Sequence, residues 1–183
     1  MESKDLRLKG LKLIRPQVYG DERGFFLETY SQIAYRAAGI PCDFVQDNHS
    51  LSKKGTLRGL HYQRKPGQAK LLRVARGRIW DVAVDIRVGS PTFGEWEAVE
   101  LSAEEHNQLF VPVGFAHGFV VLSEEAEVLY KVSKPYDPTE EKGICWDDPE
   151  IAVAWPISEP LLSQRDRENE SFADYRRRLE SQA

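Results

Sequence analysis

The sequence predicts a mainly β fold in which two sheets form a double-sheet barrel with one or two peripheral helices. Short runs of alternating or apolar residues are separated by glycine and proline, as is typical of barrels and sandwiches. Helical periodicity is scarce, and the 183 residues fit one domain, 1–183, without a linker, repeat or low-complexity tract. An immunoglobulin-like sandwich is the alternative, but the Cys–Trp–Cys spacing of that fold is absent.

The predicted elements begin with a helix over Ser31–Ala38, which has a serine N-cap and ends before a glycine. Two strands follow, Leu71–Ala75 and Ile79–Arg87, and Arg76-Gly77-Arg78 between them has the composition of a hairpin turn. Further strands are predicted over Trp96–Leu101, Gln108–Val111, Phe119–Leu122, Ala126–Val132 and Ile151–Trp155. A charged, solvated helix is predicted at the C-terminus, over about 167–183, because apolar residues recur there at helical spacing.

Composition argues against several classes of protein. The net charge is −4 and the pI is near 5.7, which argues against a nucleic-acid-binding protein but permits a local basic pocket. No apolar run approaches the ~18 residues that a membrane-spanning helix needs. Cys42 and Cys145 form no CxxC motif and are predicted to be free thiols, and the charged start lacks the apolar stretch of a secretory signal. We therefore expect a cytoplasmic protein with no nucleic-acid or membrane partner.

Polar residues concentrate in the middle of the chain, around a predicted strand that carries His61. Arg58 lies three residues before His61, and Gln63 lies two residues after it, on the same face of the strand. A lone histidine in such a place is often a hydrogen-bonded core residue. Several polar side chains that point into a small barrel each need a partner, however, and this need favours a functional cavity.

Two patterns concern metal binding. The sequence PVGFAH, which ends at His117, resembles the second motif of the cupin barrels, in which the histidine binds a metal. The first cupin motif would begin at Gly55 and reach His61, but Gln63 and Gln68 stand where a second histidine and a glutamate belong. Amides bind first-row metals poorly, so the pattern predicts a cupin-type jelly-roll barrel that keeps its cavity and lacks the metal.

A polar cavity of this kind suits proton transfer. Histidine titrates near neutral pH, which makes His61 a candidate base. Tyr130 lies among valines on one strand face and is either a core aromatic residue or a proton donor on the far side of a substrate. Lys70 and His117 are candidates to neutralise an enolate oxygen. Candidates for phosphate oxygens are Arg23, Arg58 and Arg165, although any single arginine is more often a surface residue.

A series of short motifs runs from about Val18 to Asp166. They read DERGFFxE from Asp21, VQDN from Val45, LRGLHYQ from Leu57, QxKL from Gln68, DVAVDxR from Asp81, GFAHGF from Gly114, YK from Tyr130, WxDP from Trp146, WP from Trp155 and LSxxD from Leu162. Any one of these motifs is weak evidence, but the whole series in this order is very specific. On these motifs the chain resembles the dTDP-4-dehydrorhamnose 3,5-epimerase family, whose members are metal-free cupins.

The resemblance implies a reaction, a substrate and an assembly. Members of the family epimerise C3 and C5 of a 4-keto-6-deoxyhexose carried on dTDP. They remove a proton beside the ketone and return one from the opposite face, which requires no cofactor. The implied substrate is the dTDP-sugar dTDP-4-dehydro-6-deoxy-D-glucose, and the product is dTDP-4-dehydro-L-rhamnose. Members of the family are homodimers that share strands and binding residues across the interface, so a homodimer is expected.

The resemblance also implies roles for individual residues, by matching motif. His61 is implied as the base, Asp166 as its partner in a dyad, Tyr130 as the proton donor and Lys70 as the group near the C4 oxygen. The implied substrate-binding residues are Arg23, Glu28, Gln46, Asp47, Asn48, Arg58, His117, Glu141 and Arg165. The family more often has lysine where this chain has Arg165, which keeps the charge. No metal ligand is implied.

Other functions compete with the 3,5-epimerase. A relative that inverts C3 or C5 alone, or a ketoisomerase of another dTDP-deoxysugar pathway, would use a similar cavity, although the complete catalytic set disfavours a ketoisomerase. A metal-dependent cupin oxygenase is disfavoured by Gln63 and Gln68. A cupin that only binds a sugar nucleotide is disfavoured by the complete catalytic set. A His61→Ala variant separates the last alternative, because it should keep binding dTDP and lose turnover.

Overall fold

The computed structural model describes residues 1–181 and confirms a mainly β fold built from antiparallel sheets. The strands are β1 (Glu2–Asp5), β2 (Lys12–Arg15), β3 (Val18–Asp21), β4 (Gly24–Leu27), β5 (Gln46–Lys53), β6 (Leu57–Gln63), β7 (Lys70–Arg76), β8 (Arg78–Asp85), β9 (Trp96–Ser102), β10 (Gln108–Val111), β11 (Phe115–Val121), β12 (Glu125–Val132) and β13 (Glu141–Gly143). The helices are α1 (Gln32–Ala37), α2 (Gln164–Arg167) and α3 (Phe172–Glu180). With nine residues, α3 is the longest of these helices, and none in the described part of the chain has the length and apolarity to cross a membrane.

Two large sheets pack face to face in the manner of a double-sheet jelly roll. The first sheet has six strands in the order β1-β2-β10-β7-β12-β5, and the second has five in the order β13-β6-β11-β8-β9. Strands β3 and β4 form a separate hairpin. From β5 to β8 the chain alternates between the two large sheets, so side chains that are close in sequence enter one interior from both sides.

The interior between the sheets is apolar over one part and polar over another. Val74, Ile79, Leu101, Val121 and Val128 belong to the apolar part, and each is at most 3% exposed. Full burial of such a side chain contributes roughly 1.5–3 kcal/mol, so this core holds the two sheets together. The polar part begins where hydrogen-bonding side chains replace apolar ones on the same strands.

Both sheets are also covered on their outer faces. Phe172 of α3 packs over Val84 on the outer face of the five-stranded sheet. Tyr35 of α1 packs beside Leu71 on the six-stranded sheet, and its hydroxyl donates to the Thr29 carbonyl at 2.9 Å. Strands at the centre of the molecule are therefore buried on both sides, and their sequences are nearly continuous in apolar residues.

The predicted hairpin between Leu71–Ala75 and Ile79–Arg87 is wrong. Both strands exist, as β7 and β8, but they lie in different sheets, and Arg76-Gly77-Arg78 carries the chain from one to the other. Gly77 has a φ of +76°, and a Cβ there would lie 2.1 Å from the Glu125 carbonyl oxygen. The crossover needs glycine for the same steric reason as a hairpin turn, so the local sequence does not distinguish the two.

Two predictions near the C-terminus are also wrong in part. Ile151–Trp155 is not a strand, because Asp148 Oδ1 accepts a hydrogen bond from the Ile151 N–H at 3.2 Å and holds an irregular segment against the five-stranded sheet. The helix predicted over about 167–183 is present as the shorter α3, which a separate short helix, α2, precedes; Phe172 and Tyr175 of α3 are buried, whereas a solvated helix was expected. The described residues thus contain three helices instead of one or two, and positions 182–183 of that prediction lie outside them.

Candidate active site

A cavity of about 380 Å³ opens between the two sheets. Its lining is mostly polar and comes from both sheets and the segments beside them: Gln46, Asn48, Ser50, Arg58, His61, Gln68, Lys70, Leu72, His117, Phe119, Tyr130, Tyr136, Glu141 and Arg165. Most of the site residues predicted from the sequence are in this lining. Ser50, Leu72, Phe119 and Tyr136 are additions that sequence reasoning missed.

One wall of the cavity is β5, a strand that the sequence analysis does not predict. Its side chains alternate, so Gln46, Asn48 and Ser50 line the cavity, while Asp47 points outward to an ion pair with Lys131 at 2.8 Å. Gln46 Nε2 donates to Asn48 Oδ1 at 2.8 Å, which orients both amides. Because its inward side chains are polar, the strand lacks the hydrophobic alternation on which strand prediction depends.

A β-bulge on β6 brings Arg58 and His61 into the same cavity, although regular alternation would place residues three positions apart on opposite faces. The pairing of β6 with β11 shifts in register beyond the His61–His117 pair. Gly59, inside the bulge, has a φ of +149°, and a Cβ there would lie 2.6 Å from Gly118 Cα. Glycine at this position lets the two strands approach and lets the bulge turn Arg58 inward.

The short helix α2 holds Asp166 against His61. Ser163 caps this helix: its hydroxyl accepts from the Asp166 N–H at 3.1 Å and donates to Asp166 Oδ2 at 2.7 Å. His61 Nε2 lies 2.5 Å from Asp166 Oδ1. Burial raises the pKa of Asp166, but the hydrogen bonds from His61 and Ser163 outweigh it and keep the pKa below its usual value. A carboxylate that stays charged beside an imidazole stabilises the imidazolium, as a general base requires.

A second histidine–carboxylate pair lies deeper, between β11 and β8. His117 Nε2 is 2.9 Å and 3.0 Å from the two carboxylate oxygens of Asp81, and both residues are buried. Burial lowers the pKa of His117, and the charge of Asp81 opposes this effect. Sequence reasoning gave Asp81 no role in the site, although an acidic residue inside the otherwise apolar run IWDVAV is a signal for a buried partner.

Lys70 enters the cavity from β7. Burial lowers the pKa of its ammonium group, whereas the charges of Glu141 and Asp81 raise it. A cation at this place is suited to stabilise negative charge that develops on a ligand oxygen.

Tyr130 faces the cavity from β12, where it pairs with Asn48 of β5. Burial raises the pKa of Tyr130, the charge of Glu141 adds to this rise, and the charge of Arg58 opposes it. The phenol therefore stays protonated at neutral pH and can donate a proton. His61 belongs to the five-stranded sheet and Tyr130 to the six-stranded sheet, so a ligand between the sheets has one of these groups on each side.

An ion pair closes one edge of the cavity. Arg165 of α2 lies 3.0 Å from Glu141 Oε1 of β13. The other carboxylate oxygen, Glu141 Oε2, is buried without a hydrogen-bond partner among the described residues, as is Ser50 Oγ. Buried polar atoms normally have partners, so these two are candidates to bind a ligand.

Three of the predicted binding residues do not line the cavity within one chain. Arg23 is on the exposed β3–β4 hairpin and pairs with Asp21 at 2.5 Å. Glu28, just after that hairpin, is exposed, and Asp47 points away from the cavity. Each of the three lies on a surface that faces solvent in the single chain.

The two glutamines at the metal-ligand positions of other cupins are bound to the protein backbone. Gln63 Oε1 accepts from the Asp137 N–H at 2.8 Å, and Gln68 Nε2 donates to the Lys134 carbonyl at 2.8 Å. Over residues 1–181, no three His, Cys, Asp or Glu side chains are grouped so that they could hold a metal ion. The cavity histidines are instead each paired with one carboxylate.

The fold and the site together define a cupin-type enzyme, with groups suited to acid–base chemistry on both sides of its cavity: His61 of the five-stranded sheet, paired with Asp166 of α2, and Tyr130 of the six-stranded sheet. A family model described as dTDP-4-dehydrorhamnose 3,5-epimerase matches residues 5–174. The chain belongs to this family.

Individual relatives agree with the family assignment. The dTDP-4-dehydrorhamnose 3,5-epimerase of Pseudomonas aeruginosa is 52% identical over 176 residues, which cover 95% of this chain and 97% of that protein. The fold is similar to the epimerase RmlC of Legionella pneumophila in complex with dTDP-4-keto-L-rhamnose, with a TM-score of 0.90, 48% identity, and coverage of 93% and 92% of the two chains. It is also similar to the rmlC epimerase of Mycobacterium tuberculosis, with a TM-score of 0.94, 41% identity, and coverage of 98% and 92%.

Proposed function

We propose that the protein inverts C3 and C5 of dTDP-4-dehydro-6-deoxy-D-glucose and releases dTDP-4-dehydro-L-rhamnose, a step of dTDP-L-rhamnose biosynthesis. One observation carries the proposal: His61, backed by Asp166, and Tyr130 line one cavity from opposite sheets. Inversion at carbon needs a proton removed from one face and another delivered to the opposite face. His61 and Tyr130 lie on facing walls of the cavity, so each can act on its own face of the substrate carbon without changing sides.

His61 acts as the base in the first half of the reaction. The C4 ketone acidifies the protons on C3 and C5, and His61 removes one of them to leave an enolate. The 2.5 Å contact with Asp166 stabilises the imidazolium that results. Positioned general bases of this type contribute about 10²- to 10⁴-fold to the rate.

Lys70 and His117 stabilise the enolate oxygen that forms at C4. Both line the cavity, and the Lys70 ammonium supplies positive charge without a proton transfer. Asp81 orients His117 from behind, with both carboxylate oxygens near its Nε2.

Tyr130 completes the inversion by donating a proton to the opposite face of the enolate. Its raised pKa keeps the phenol protonated until the carbanion forms. The proton that reaches carbon replaces the one taken by His61, so the substrate and product contain the same atoms. Solvent then takes the proton from His61 and returns one to Tyr130, and repetition at the second carbon inverts both centres.

The nucleotide part of the substrate binds along the polar lining. Gln46 and Asn48 of β5 supply amides, and Arg58 and Arg165 supply guanidinium groups suited to bidentate contact with phosphate oxygens. Glu141, which has one buried oxygen without a hydrogen-bond partner in residues 1–181, accepts a hydrogen bond from a ligand hydroxyl.

Exchange of substrate protons with solvent tests the proposed function. The protein is incubated with dTDP-4-keto-6-deoxyglucose in D₂O, and deuterium at each carbon is followed by NMR. Label at both C3 and C5, absent with His61→Ala, is the expected result. Label at only one carbon would assign the protein to single-centre epimerases, and an unchanged sugar nucleotide would contradict the proposal.

We also propose that the protein works as a cytoplasmic homodimer in which Arg23, Glu28 and Asp47 complete the site of the partner subunit. The β3–β4 hairpin exposes Tyr19 and Phe26 at 64% and 70%, an apolar surface typical of an interface. The free thiols of Cys42 and Cys145 support a reducing compartment.

Mixed dimers test whether Arg23 acts across the interface. His61→Ala and Arg23→Ala chains, each inactive alone, are co-expressed. If Arg23 serves the partner, statistical mixing makes about a quarter of all sites intact and restores that share of the activity. If Arg23 serves its own cavity, the mixture stays inactive, and if Arg23 serves no site, the Arg23→Ala chain is active by itself; either result contradicts the proposal.

A further inference from the structure

We propose that Asn169 is a positioning residue that fastens α2 beside β6 and so holds Asp166 against His61. The inference rests on the proposed function, in which this dyad is the base. Asn169 lies outside the cavity lining and three residues after Asp166, and it was not among the predicted site residues.

The segment that carries Asp166 belongs to neither sheet and is tied to them at both ends. Before α2, the Leu161 N–H donates to the Gly55 carbonyl at 2.8 Å, and the Leu57 N–H donates to the Leu161 carbonyl at 3.0 Å. After α2, the Cys145 N–H donates to the Glu170 carbonyl at 2.8 Å. These hydrogen bonds fix both ends of the segment. They are needed because α2 has only four residues, too few to define its own orientation.

Asn169 supplies a further tie, next to the dyad itself. Its Nδ2 donates to the Gly59 carbonyl at 3.2 Å, two positions before His61 on β6. Its amide also fills the space over Gly143, the residue of β13 that lies directly opposite His61 in the strand register. One side chain therefore contacts both strands at the level of His61.

Gly143 is required there for space and not for backbone conformation. A Cβ on Gly143 would lie 2.2–2.5 Å from the atoms of the Asn169 amide, although the φ of Gly143 is outside the left-handed region. Gly143→Ala thus displaces Asn169, whereas the same methyl group fits when Asn169→Ala has emptied the space. The pair of substitutions separates a steric contact from a general loss of stability.

The test combines kinetics with a spectroscopic signature of the dyad. Asn169→Ala is expected to lower kcat for exchange by roughly ten- to a hundredfold, with KM unchanged within about twofold, because a misplaced base slows chemistry and not binding. The downfield proton resonance shared by His61 and Asp166, identified by its loss in His61→Asn, should broaden or disappear.

Gly143→Ala should have the same two effects, and the double variant should be more active than Gly143→Ala alone. Gln164→Ala, on the same helix, is the control and should match the unsubstituted protein.

The inference is overturned if Asn169→Ala keeps kcat and the dyad resonance, or if the double variant is no better than Gly143→Ala. A rise in KM at constant kcat also overturns it. If Asn169→Ala does not fold, Asn169→Asp replaces it in the test. Asn169→Asp keeps the shape of the side chain but loses the N–H donor to Gly59, so it should show the same loss of kcat and of the dyad resonance. Absence of exchange in the unsubstituted protein would refute the proposed function, while the resonance, recorded without substrate, still decides the role of Asn169.

Discussion

Single side chains acquire their chemistry here from the group that each one faces. His61 lies beside a carboxylate that remains charged, whereas Tyr130 lies in a setting that keeps its phenol neutral. A histidine and a tyrosine on β-strands are unremarkable as residue types. The combination of a charged partner for one and burial for the other suits the first to act as the base and the second as the acid of the proposed reaction.

Removal of the Tyr130 hydroxyl should separate exchange from inversion. Tyr130→Phe keeps the ring but has no proton to deliver, so His61 should still exchange the substrate proton with D₂O. We expect formation of inverted product to fall by about 10²-fold or more, with exchange reduced much less. NMR that follows label and configuration at the same carbon measures both. Tyr30→Phe, on the outer face of the barrel, is the matched control, and equal losses of exchange and inversion would contradict the assignment.

At the scale of elements, α3 acts as a cover for the five-stranded sheet. Phe172 is 4% exposed and packs with Phe93, at a ring centroid distance of 5.1 Å. Phe172→Ala should lower the free energy of unfolding by about 3–5 kcal/mol, because it opens a cavity in this outer core. Urea denaturation measures the change. Arg177→Ala on the exposed side of α3 should change it by no more than about 0.5 kcal/mol, and similar values for the two variants would argue against the cover.

The two tyrosines that anchor helices should make the fold sensitive to alkali. Burial raises the pKa of Tyr35 and of Tyr175 to about 12, from 10.0. The folded protein therefore retains protons that the unfolded chain releases, so this stabilisation is complete below pH 10 and is lost as the pH rises from about 10 towards 12. Denaturation curves over this range should show a falling free energy of unfolding. Tyr35→Phe should make the fall shallower, and a flat profile in the unsubstituted protein would contradict the prediction.

At the scale of the whole molecule, the exposed hairpin is expected to hold two copies together. Phe26→Asp places a charge on the apolar surface of β4 and should shift the protein from dimer to monomer without unfolding it. Light scattering after size exclusion measures the mass, and circular dichroism checks the fold. Val88→Asp, at a residue 74% exposed elsewhere, is the control. A monomeric unsubstituted protein, or a dimer that keeps its mass with Phe26→Asp, would refute this interface.

Strands with an apolar face were predictable even where they also line the cavity, as for β7 and β12, whereas β5 was not. Gln108–Val111 agrees in full with β10, and Trp96–Leu101 differs from β9 by one residue. By contrast, β5 was missed because its inward face carries Gln46 and Asn48, which look like a loop composition. Polar side chains that point into a cavity remove the hydrophobic alternation from the strand that carries them.

The sequence by itself determined the mainly β class and the residue types suited to proton transfer, because strand periodicity and side-chain chemistry are local properties. Only the tertiary structure decided which of those residues meet. Asp166 reaches His61 across 105 positions, and the bulge at Gly59 turns Arg58 to the same side as His61. Sheet order, crossovers and bulges depend on packing between distant segments, so no local pattern encodes them.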